Sequence, residues 1–365
     1  MSTFTPTPTA APAPVLGYFA GIGTVFGLEI RQRLRNRGWY IMLGIWFVVV
    51  AAVVGLAALS AAEGEFGPGQ VMFELVIAFV LFFGMLIAPA LSANSVTGDR
   101  ANGTLAVLQN TLLTPGQLLW GKWLASWAAS LGFLVVTIPL IAWAMTYGDV
   151  YLPAVPVMLG MLALQLAVVC ALGVGVSALA NRTLFAVMVT YLLVAMLGIG
   201  TLIAYGLSMQ LVRTEVQVSN QVWPEEYVSE NSYVEWDENN YTCEARTYPQ
   251  ETFATDRITW LLAANPFVVV ADAVPRAPVA EDPAMISGIG PMGGISTGVR
   301  YSQAGPAYQV ACLNGVKNTE LPPAPDPLWP LGLGIQALLA GGILAAGRNR
   351  LKTPAGKLAS GTRIA

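Results

Sequence analysis

The residues of this chain that could act on a partner molecule are concentrated in one segment, Thr97 to Ser126, which reads TGDRANGTLAVLQNTLLTPGQLLWGKWLAS. Within it Leu105, Leu108 and Leu112 recur at spacings of three and four, which places them on one face of a short helix. A helix with a single apolar stripe buries that stripe against another surface. The segment therefore offers docking chemistry, and the receiving surface is either a separate protein or the end of this chain's own helical bundle.

The same segment contains a strong signal for the start of a helix. Thr114, Pro115 and Gln117 fit a capping box, with threonine as the N-cap, proline at the first helical position and glutamine at the third. The helix that begins at Pro115 continues through Lys122 into a long apolar run. We expect the lysine side chain to extend to lipid headgroups, and a force on the segment to be carried rigidly into the bilayer.

The composition excludes several kinds of catalysis. Histidine is absent, which removes histidine-based acid–base catalysis, Ser-His-Asp triads and HExxH zinc sites. The sequence has no GxxxxGKS or GxxxxGKT motif, so it carries no P-loop for ATP hydrolysis. We therefore predict no catalytic residue, no metal ligand, no cofactor and no enzyme activity in this chain.

Most of the chain is suited to lipid. It is 55% hydrophobic and 11% charged, with a mean hydropathy of +0.61, whereas a soluble domain has roughly 25% charged residues. A helix needs about 20 apolar residues to cross a bilayer. Six segments meet this requirement and predict an all-α polytopic membrane protein with six transmembrane helices: Trp39–Ala62, Val71–Ala93, Trp123–Tyr147, Pro153–Ala180, Leu184–Val212 and Leu328–Ala346.

The distribution of charge predicts the orientation of these spans. Twelve of the eighteen Lys and Arg residues fall on one side of the membrane, with only Glu29 and Asp99 opposing them, and nineteen of the twenty-one acids fall on the other side. Loops rich in Lys and Arg stay in the cytoplasm. We therefore predict a multi-pass protein of the plasma membrane with both termini cytoplasmic.

The chain before the first span predicts an amphipathic interface helix over residues 15–38, after a disordered tail over residues 1–14 that is rich in Thr, Pro and Ala. Its apolar face consists of Leu16, Phe19, Phe26, Ile30 and Leu34. Four arginines follow and are predicted to anchor the helix to anionic membrane lipids: Arg31, Arg33, Arg35 and Arg37.

The longest polar stretch, residues 213–327, is predicted to be a large outer loop domain between spans five and six. It contains Cys243 and Cys312, which we expect to pair because disulfides persist outside the cytoplasm. The alternative is two independent buried thiols. Ile258–Ala271 is apolar but too short to span, so it is predicted to be an interfacial or re-entrant segment. The alternative is a buried strand or helix of the outer domain.

The order of these motifs resembles the type-2 class of ABC exporter permeases. Gly103, Thr104 and Leu105, then an apolar run, then Thr114 and Pro115, then Gly121 and Lys122 before a membrane helix match the "GTL…L…TP…GK" segment that joins spans two and three in that family. The basic helix before span one and the Asn-Pro-Phe segment of the outer loop also match. The charged pair that usually precedes Gly-Thr-Leu is replaced here by Ala101 and Asn102.

The resemblance implies an ATP-driven exporter with separate ATP-binding subunits. The docking helix would consist of Gly103, Thr104, Leu105, Leu108 and Leu112, and its junction with span three would be set by Pro115 and Lys122. ATP and Mg would be bound by the ATP-binding partner. The other partners would be a second permease chain, the same or different, and membrane lipids, with no nucleic acid.

The resulting domain prediction places spans one to five in residues 39–212, with a cytosolic coupling loop over 94–122, followed by the outer loop domain at 213–327. Span six follows at 328–347 and a basic cytosolic tail at 348–365. Two alternative functions remain at this point. One is a non-transport scaffold or receptor with an outer binding domain. The other is an integral membrane enzyme or ion-coupled carrier, for which Glu74 is the nearest candidate.

Overall fold

A computed structural model of the chain describes residues 17–61, 68–103, 113–147, 150–223, 241–275, 290–317 and 326–352. Within these residues six spans are long and apolar enough to cross a membrane. All six predicted spans correspond to them. We number them in chain order as α2 (Arg37–Ala61), α3 (Pro68–Ser92), α5 (Pro115–Ala144), α6 (Ala154–Leu179), α7 (Thr183–Ala195) with α8 (Thr201–Met209), and α11 (Trp329–Leu351).

Span three is held against span four by two tryptophans. Trp123 and Trp127 lie one helical turn apart on α5, and their rings stack with centroids 5.8 Å apart. The indole N–H of Trp123 donates to the backbone oxygen of Ala167 at 2.9 Å, and that of Trp127 donates to Ala163 at 2.8 Å. An indole buries a large apolar area but still needs an acceptor for its N–H. Ala163 and Ala167 lie one turn apart on α6, so the same face of this helix supplies both the apolar contact and the two acceptors.

Span six packs in parallel against span four through two glycines. A Cβ atom added at Gly175 of α6 would lie 2.8 Å from Cγ2 of Ile343, and one added at Gly347 of α11 would lie 2.9 Å from Cβ of Ala178. These contacts advance in the same direction along both helices, so the two spans run parallel. Small residues allow membrane helices to approach this closely.

Two further helices lie at the end of the bundle where span one begins and span six ends. They are the N-terminal helix α1 (Tyr18–Arg35) and the short helix α4 (Thr97–Ala101). We name this end the basic end, because the exposed cations Arg31, Arg35, Arg348 and Arg350 all belong to it. The predicted apolar face of α1 points away from the bundle at Phe19 and Leu34, which are both exposed.

The insert between spans five and six contains a four-stranded sheet, so the all-α prediction is wrong for this part of the chain. The strands β1 (Arg213–Val222), β2 (Thr242–Phe253), β3 (Cys312–Leu313) and β4 (Val316–Lys317) form an antiparallel sheet in the order β2-β1-β3-β4. The physical reason lies in the alternation of β1, where Val216 and Val218 share one face and Val218 is buried. Such alternation of β-branched and polar residues favours a strand.

A disulfide joins the edge strand of this sheet to its interior. Cys243 of β2 and Cys312 of β3 are bonded, with their Cα atoms 5.8 Å apart, so the predicted pairing is confirmed. The third cysteine, Cys170, is buried as a free thiol in span four.

The apolar segment Ile258–Ala271 does not form a span. It consists of a 3₁₀ turn (Thr259–Leu262) followed by α9 (Pro266–Asp272), and Val268, Val269 and Val270 are buried. α9 packs against span four, span six and α10 (Pro291–Ala304). The structure therefore makes it a buried helical element of the insert, and its re-entry into the membrane stays a prediction.

Glu74 near the start of span two is a structural acceptor. It is buried, and its carboxylate accepts hydrogen bonds from the Gln70 side chain and from the backbone N–H of Gly293, both at 2.7 Å. Gly293 lies in the first turn of α10, where the helix dipole favours a negative charge. Glu74 thus ties span two to the insert.

Candidate functional site

The predicted docking stripe itself lies outside the described residues, since Thr104, Leu105, Leu108 and Leu112 all fall within 104–112. The structure describes the two ends of this segment, which are Gly103 on one side and Leu113 on the other. Gly103 has φ +74°, a left-handed conformation that favours glycine and ends the helical turn of α4. The candidate site is therefore the base of the 104–112 segment, built by the helices that enter and leave it.

A buried ion cluster joins three helices at this base. Lys122 of α5 is only 2% exposed. Its Nζ forms an ion pair with the carboxylate of Glu29 from α1, and it lies 2.7 Å from Oδ2 of Asp99 in α4. These three residues are named the Lys122 cluster.

The Lys122 cluster overturns the expectation that this lysine extends to lipid headgroups. α1 and α4 cover this part of span three, so the route from Lys122 to the headgroups is blocked. A buried ammonium group is costly unless it is paired and hydrogen-bonded. α1 supplies one carboxylate and α4 supplies the other, and the charge is balanced inside the protein.

Arg33 supplies a second cation next to the cluster. Its guanidinium donates to the backbone oxygen of Leu91 at 3.0 Å and to Oγ of Ser126 at 3.3 Å. Burial lowers the pKa of Arg33 from its ordinary value, and the negative charge of Glu29 acts in the opposite direction. Counted together, Lys122, Arg33, Glu29 and Asp99 carry no net charge.

The four arginines of the N-terminal helix region therefore have two different environments. Arg31, Arg35 and Arg37 are exposed, while Arg33 is half-buried and binds spans two and three. Lipid anchoring by the three exposed arginines stays a prediction. The side chain of Arg33 acts instead as a bond between α1 and the bundle.

The start of span three is fixed to α1 by its capping box. Oγ1 of Thr114 accepts a hydrogen bond from the N–H of Gln117, and Oε1 of Gln117 accepts from the N–H of Thr114 at 2.7 Å, so the predicted capping box is confirmed. The Gln117 amide also donates to the backbone oxygen of Tyr18 at 3.2 Å. Further along, a Cβ atom at Gly121 would lie 2.6 Å from Cβ of Val25. This close approach requires glycine at position 121.

The other end of the segment is fixed to span four. Oγ of Ser177 accepts hydrogen bonds from the backbone N–H groups of Val96 and Thr97, both at 3.0 Å. Arg100 of α4 donates to the backbone oxygen of Ala180, where α6 ends. The chain that enters 104–112 is thus attached to span four, and the chain that leaves it is attached to α1.

The attachments at both ends of the 104–112 segment allow this arrangement to transmit a displacement. Among the described residues, no group of three or more His, Cys, Asp and Glu side chains could hold a metal ion. At the base, the charged groups described above are paired with one another or bonded to the backbone oxygens of Leu91 and Ala180. Fold and site together define a polytopic membrane protein with a firmly anchored segment at the basic end of its helical bundle.

Comparison with known proteins agrees with this class. Residues 24–275 match the family described as ABC-2 family transporter protein, which covers more than half of the chain. The chain belongs to this family.

Two curated relatives share part of the sequence. Both are described as probable ABC transporter permease protein NosY, one from Pseudomonas aeruginosa and one from Stutzerimonas stutzeri. The first is 34% identical over 110 residues, which is 28% of this chain and 38% of the relative. The second is 34% identical over 97 residues, which is 26% of this chain and 34% of the relative. The chain thus spans little more than a third of the length of these relatives.

Sequence reasoning missed the partners of Lys122. From the sequence, Glu29 and Asp99 are the two acids on a side with twelve cations, and Asp99 with Arg100 offers charge to a docking partner; neither acid is assigned to Lys122. The small number of acids on this side was the available signal, because an acid in a strongly cationic region has cations nearby with which it can pair.

The spacing of two between the arginines places Arg33 on the opposite face of α1 from Arg31 and Arg35, in line with Gly21, Val25 and Glu29. That helical phase was the available signal for Arg33.

Proposed function

We propose that this chain is the membrane-spanning subunit of an ATP-driven exporter and that a separate ATP-binding subunit docks on residues 104–112. In this proposal Thr104, Leu105, Leu108 and Leu112 form the docking helix, and Pro115 and Lys122 set its junction with span three. Gly103, with φ +74°, forms the turn between α4 and that helix rather than part of it. The basic end faces the cytoplasm of the cell, with both termini on that side of the plasma membrane. ATP and Mg belong to the ATP-binding partner, and a second permease chain completes the transporter.

The observation that carries this proposal is the Lys122 cluster. A segment that only covered the end of the bundle would not need rigid attachments at both of its ends. Here Lys122 binds one carboxylate from the helix before span one and one from the helix before the segment. The cluster makes α1, α4 and the start of span three a single unit.

The route of a displacement follows from these attachments. A docking helix that moves with its ATP-binding partner pulls on α5, which is continuous from Pro115 to Ala144. It also pulls on α4, whose backbone is bonded to Ser177 of span four. Motion of the partner thus reaches spans three and four directly, and α1 follows span three.

The proposal is tested by placing a charge on the apolar stripe. Leu108→Asp should abolish co-purification of the ATP-binding subunit, because a carboxylate in a buried apolar contact is strongly unfavourable. Asn110→Asp adds the same charge to the opposite face of the same segment, five residues after Leu105 and two after Leu108, and should leave the complex intact. The readouts are pull-down of the complex and the rate of ATP hydrolysis with and without this chain.

Retention of the complex in Leu108→Asp, with unchanged ATP hydrolysis, would remove 104–112 as the docking helix. Loss of the complex in both variants would show only that the segment tolerates no added charge, and the stripe assignment would then be wrong.

A further inference from the structure

Span five is interrupted by a π-helical turn. The turn covers Met196–Gly200 and separates α7 from α8. A π turn contains one residue more than the regular helix accommodates, and such turns are rare and found mostly at functional positions. The extra residue changes the direction in which α8 presents its side chains.

One side chain from the insert is bonded to this turn. The amide Nδ2 of Asn265 donates to the backbone oxygen of Gly198 at 2.7 Å and to Oγ1 of Thr201 at 2.9 Å. Asn265 is 1% exposed. Its Oδ1 accepts from the N–H of Phe267 at 2.9 Å and caps α9. Every polar group of this side chain is therefore used, and two of its bonds stabilise the turn.

Asn265 is itself held in place by span six. The amide Nε2 of Gln336 donates to the backbone oxygen of Ala264 at 2.9 Å. A Cβ atom at Gly332 would lie 1.9 Å from the backbone oxygen of Ala263, so span six runs directly against this stretch of backbone. Asn265 thus connects span five to a support that is fixed on span six.

The bonds from Asn265 favour the π turn over a regular α-helix formed by the same residues. In the turn the N–H of Thr201 donates to the oxygen of Met196, five residues earlier. In an α-helix it would donate to the oxygen of Leu197, which here accepts from Oγ1 of Thr201 at 2.8 Å. Closing that bond would absorb the extra residue, which turns α8 by about 100° and moves it by about 1.5 Å along its axis. It would also separate Tyr205 of α8 from Ser302 of α10, whose hydroxyl oxygens lie 2.6 Å apart.

We propose that the π turn is a hinge in span five and that the side chain of Asn265 holds it in one of two states. We call this side chain the latch: it is closed when bonded to Gly198 and Thr201, and open when these bonds are broken. With the latch closed, the π turn is kept and α8 contacts the insert through Tyr205. With the latch open, the turn becomes α-helical and α8 rotates while α7 stays in place. This inference concerns the chain alone and does not depend on a docking partner.

Distance measurements between spin labels in the purified full-length chain test the latch. One pair joins Leu207 of α8 to Leu338 of span six, and the reference pair joins Leu192 of α7 to Leu338. All three positions are exposed. The background carries Cys170→Ala, since the other two cysteines form the disulfide.

The test variant is Asn265→Ser, because serine caps a helix as well as asparagine does but is too short to reach Gly198. A label carried about 6 Å from the helix axis moves by roughly 9 Å in a 100° rotation. We expect a second Leu207–Leu338 distance, shifted by at most that amount, with the Leu192–Leu338 distance unchanged. The matched control Asn220→Ser, on β1, should change neither distance.

An unchanged Leu207–Leu338 distance in folded Asn265→Ser would overturn the proposal, and so would an equal shift of both pairs. Deletion of Ile199 provides a second test, because it removes the extra residue. Span five can then be a regular α-helix with α8 in its present orientation, and the bonds from Asn265 are no longer required to hold a π turn. In the shortened chain, Asn265→Ser should cause no further loss of thermal stability. An equal loss in the shortened and the full-length chain would contradict the latch.

Discussion

Substitution of Lys122 by methionine tests the ion cluster at the base of the 104–112 segment. Methionine keeps much of the lysine side-chain volume and removes the charge. Of the four charges counted above, Arg33, Glu29 and Asp99 then remain, and together they carry one net negative charge. We expect α1 and α4 to loosen from span three, because the two carboxylates lose the partner that they share.

The size of the effect follows from burial. Removing one partner of a fully buried ion pair costs about 3–5 kcal/mol. The side chains of Glu29 and Asp99 are 20% and 25% exposed, so water restores part of their hydration and we expect about 2–3 kcal/mol for this site. With about 2–4 °C of melting temperature per kcal/mol, the loss is roughly 4–12 °C.

Thermal unfolding of the purified chain in detergent measures this loss. Arg35→Met is the matched control, since it removes an exposed cation from α1 and should leave the melting temperature within about 1 °C, as expected for a surface charge. Lys122→Met combined with Asp99→Asn leaves one cation and one acid, Arg33 and Glu29, and should recover much of the lost stability. A melting temperature for Lys122→Met equal to that of Arg35→Met would refute the structural role of the cluster.

Two further substitutions address other contacts. Gly121→Ala should weaken the packing of α1 on span three, because its Cβ would lie 2.6 Å from Cβ of Val25, and α1 should then be cleaved faster by protease. The control Gly160→Ala has open space around it and should leave the cleavage rate unchanged. Equal cleavage of the two variants would refute the contact. The double substitution Cys243→Ser and Cys312→Ser should destabilise the insert by about 4 kcal/mol, the contribution expected of a disulfide that closes a loop of this length. Increased proteolysis of the insert measures this loss, and cleavage no faster than in the oxidised parent chain would contradict the prediction.

Local patterns predicted the elements of this fold that depend on neighbouring residues. The six spans follow from runs of apolar residues, and the capping box at Thr114 and Gln117 follows from a spacing of three. The disulfide follows from two facts: the insert is predicted to lie outside the cytoplasm, where disulfides persist, and it contains only two cysteines, Cys243 and Cys312. Each of these is determined by residues close in sequence or by a choice among very few partners.

The features that sequence did not predict depend on contacts between distant elements. Lys122 is separated from Glu29 by 93 residues, and nothing local shows that α1 will cover it. The face of α1 that packs on span three contains Gly21 and Val25, which carry little apolar signal of their own. That face becomes recognisable only when Gly121 is placed opposite it.

The π turn illustrates the same limit within one span. Leu184–Val212 reads as an unbroken apolar helix, and the residues of the turn, MLGIG, include nothing that forbids a regular α-helix. The difference comes from Asn265, more than sixty residues away, which binds the oxygen of Gly198. A tertiary hydrogen bond here determines a secondary structure.

The parallel contact between spans four and six has a consequence for biogenesis. Span six leaves the ribosome only after the whole insert has been made, more than a hundred residues after span five ends. At ordinary rates of synthesis this interval is on the order of ten seconds. During it the surface around Gly175 lacks Ile343 and Leu344, which later pack on it. Nascent chains stalled before span six should therefore be captured by membrane chaperones at that surface.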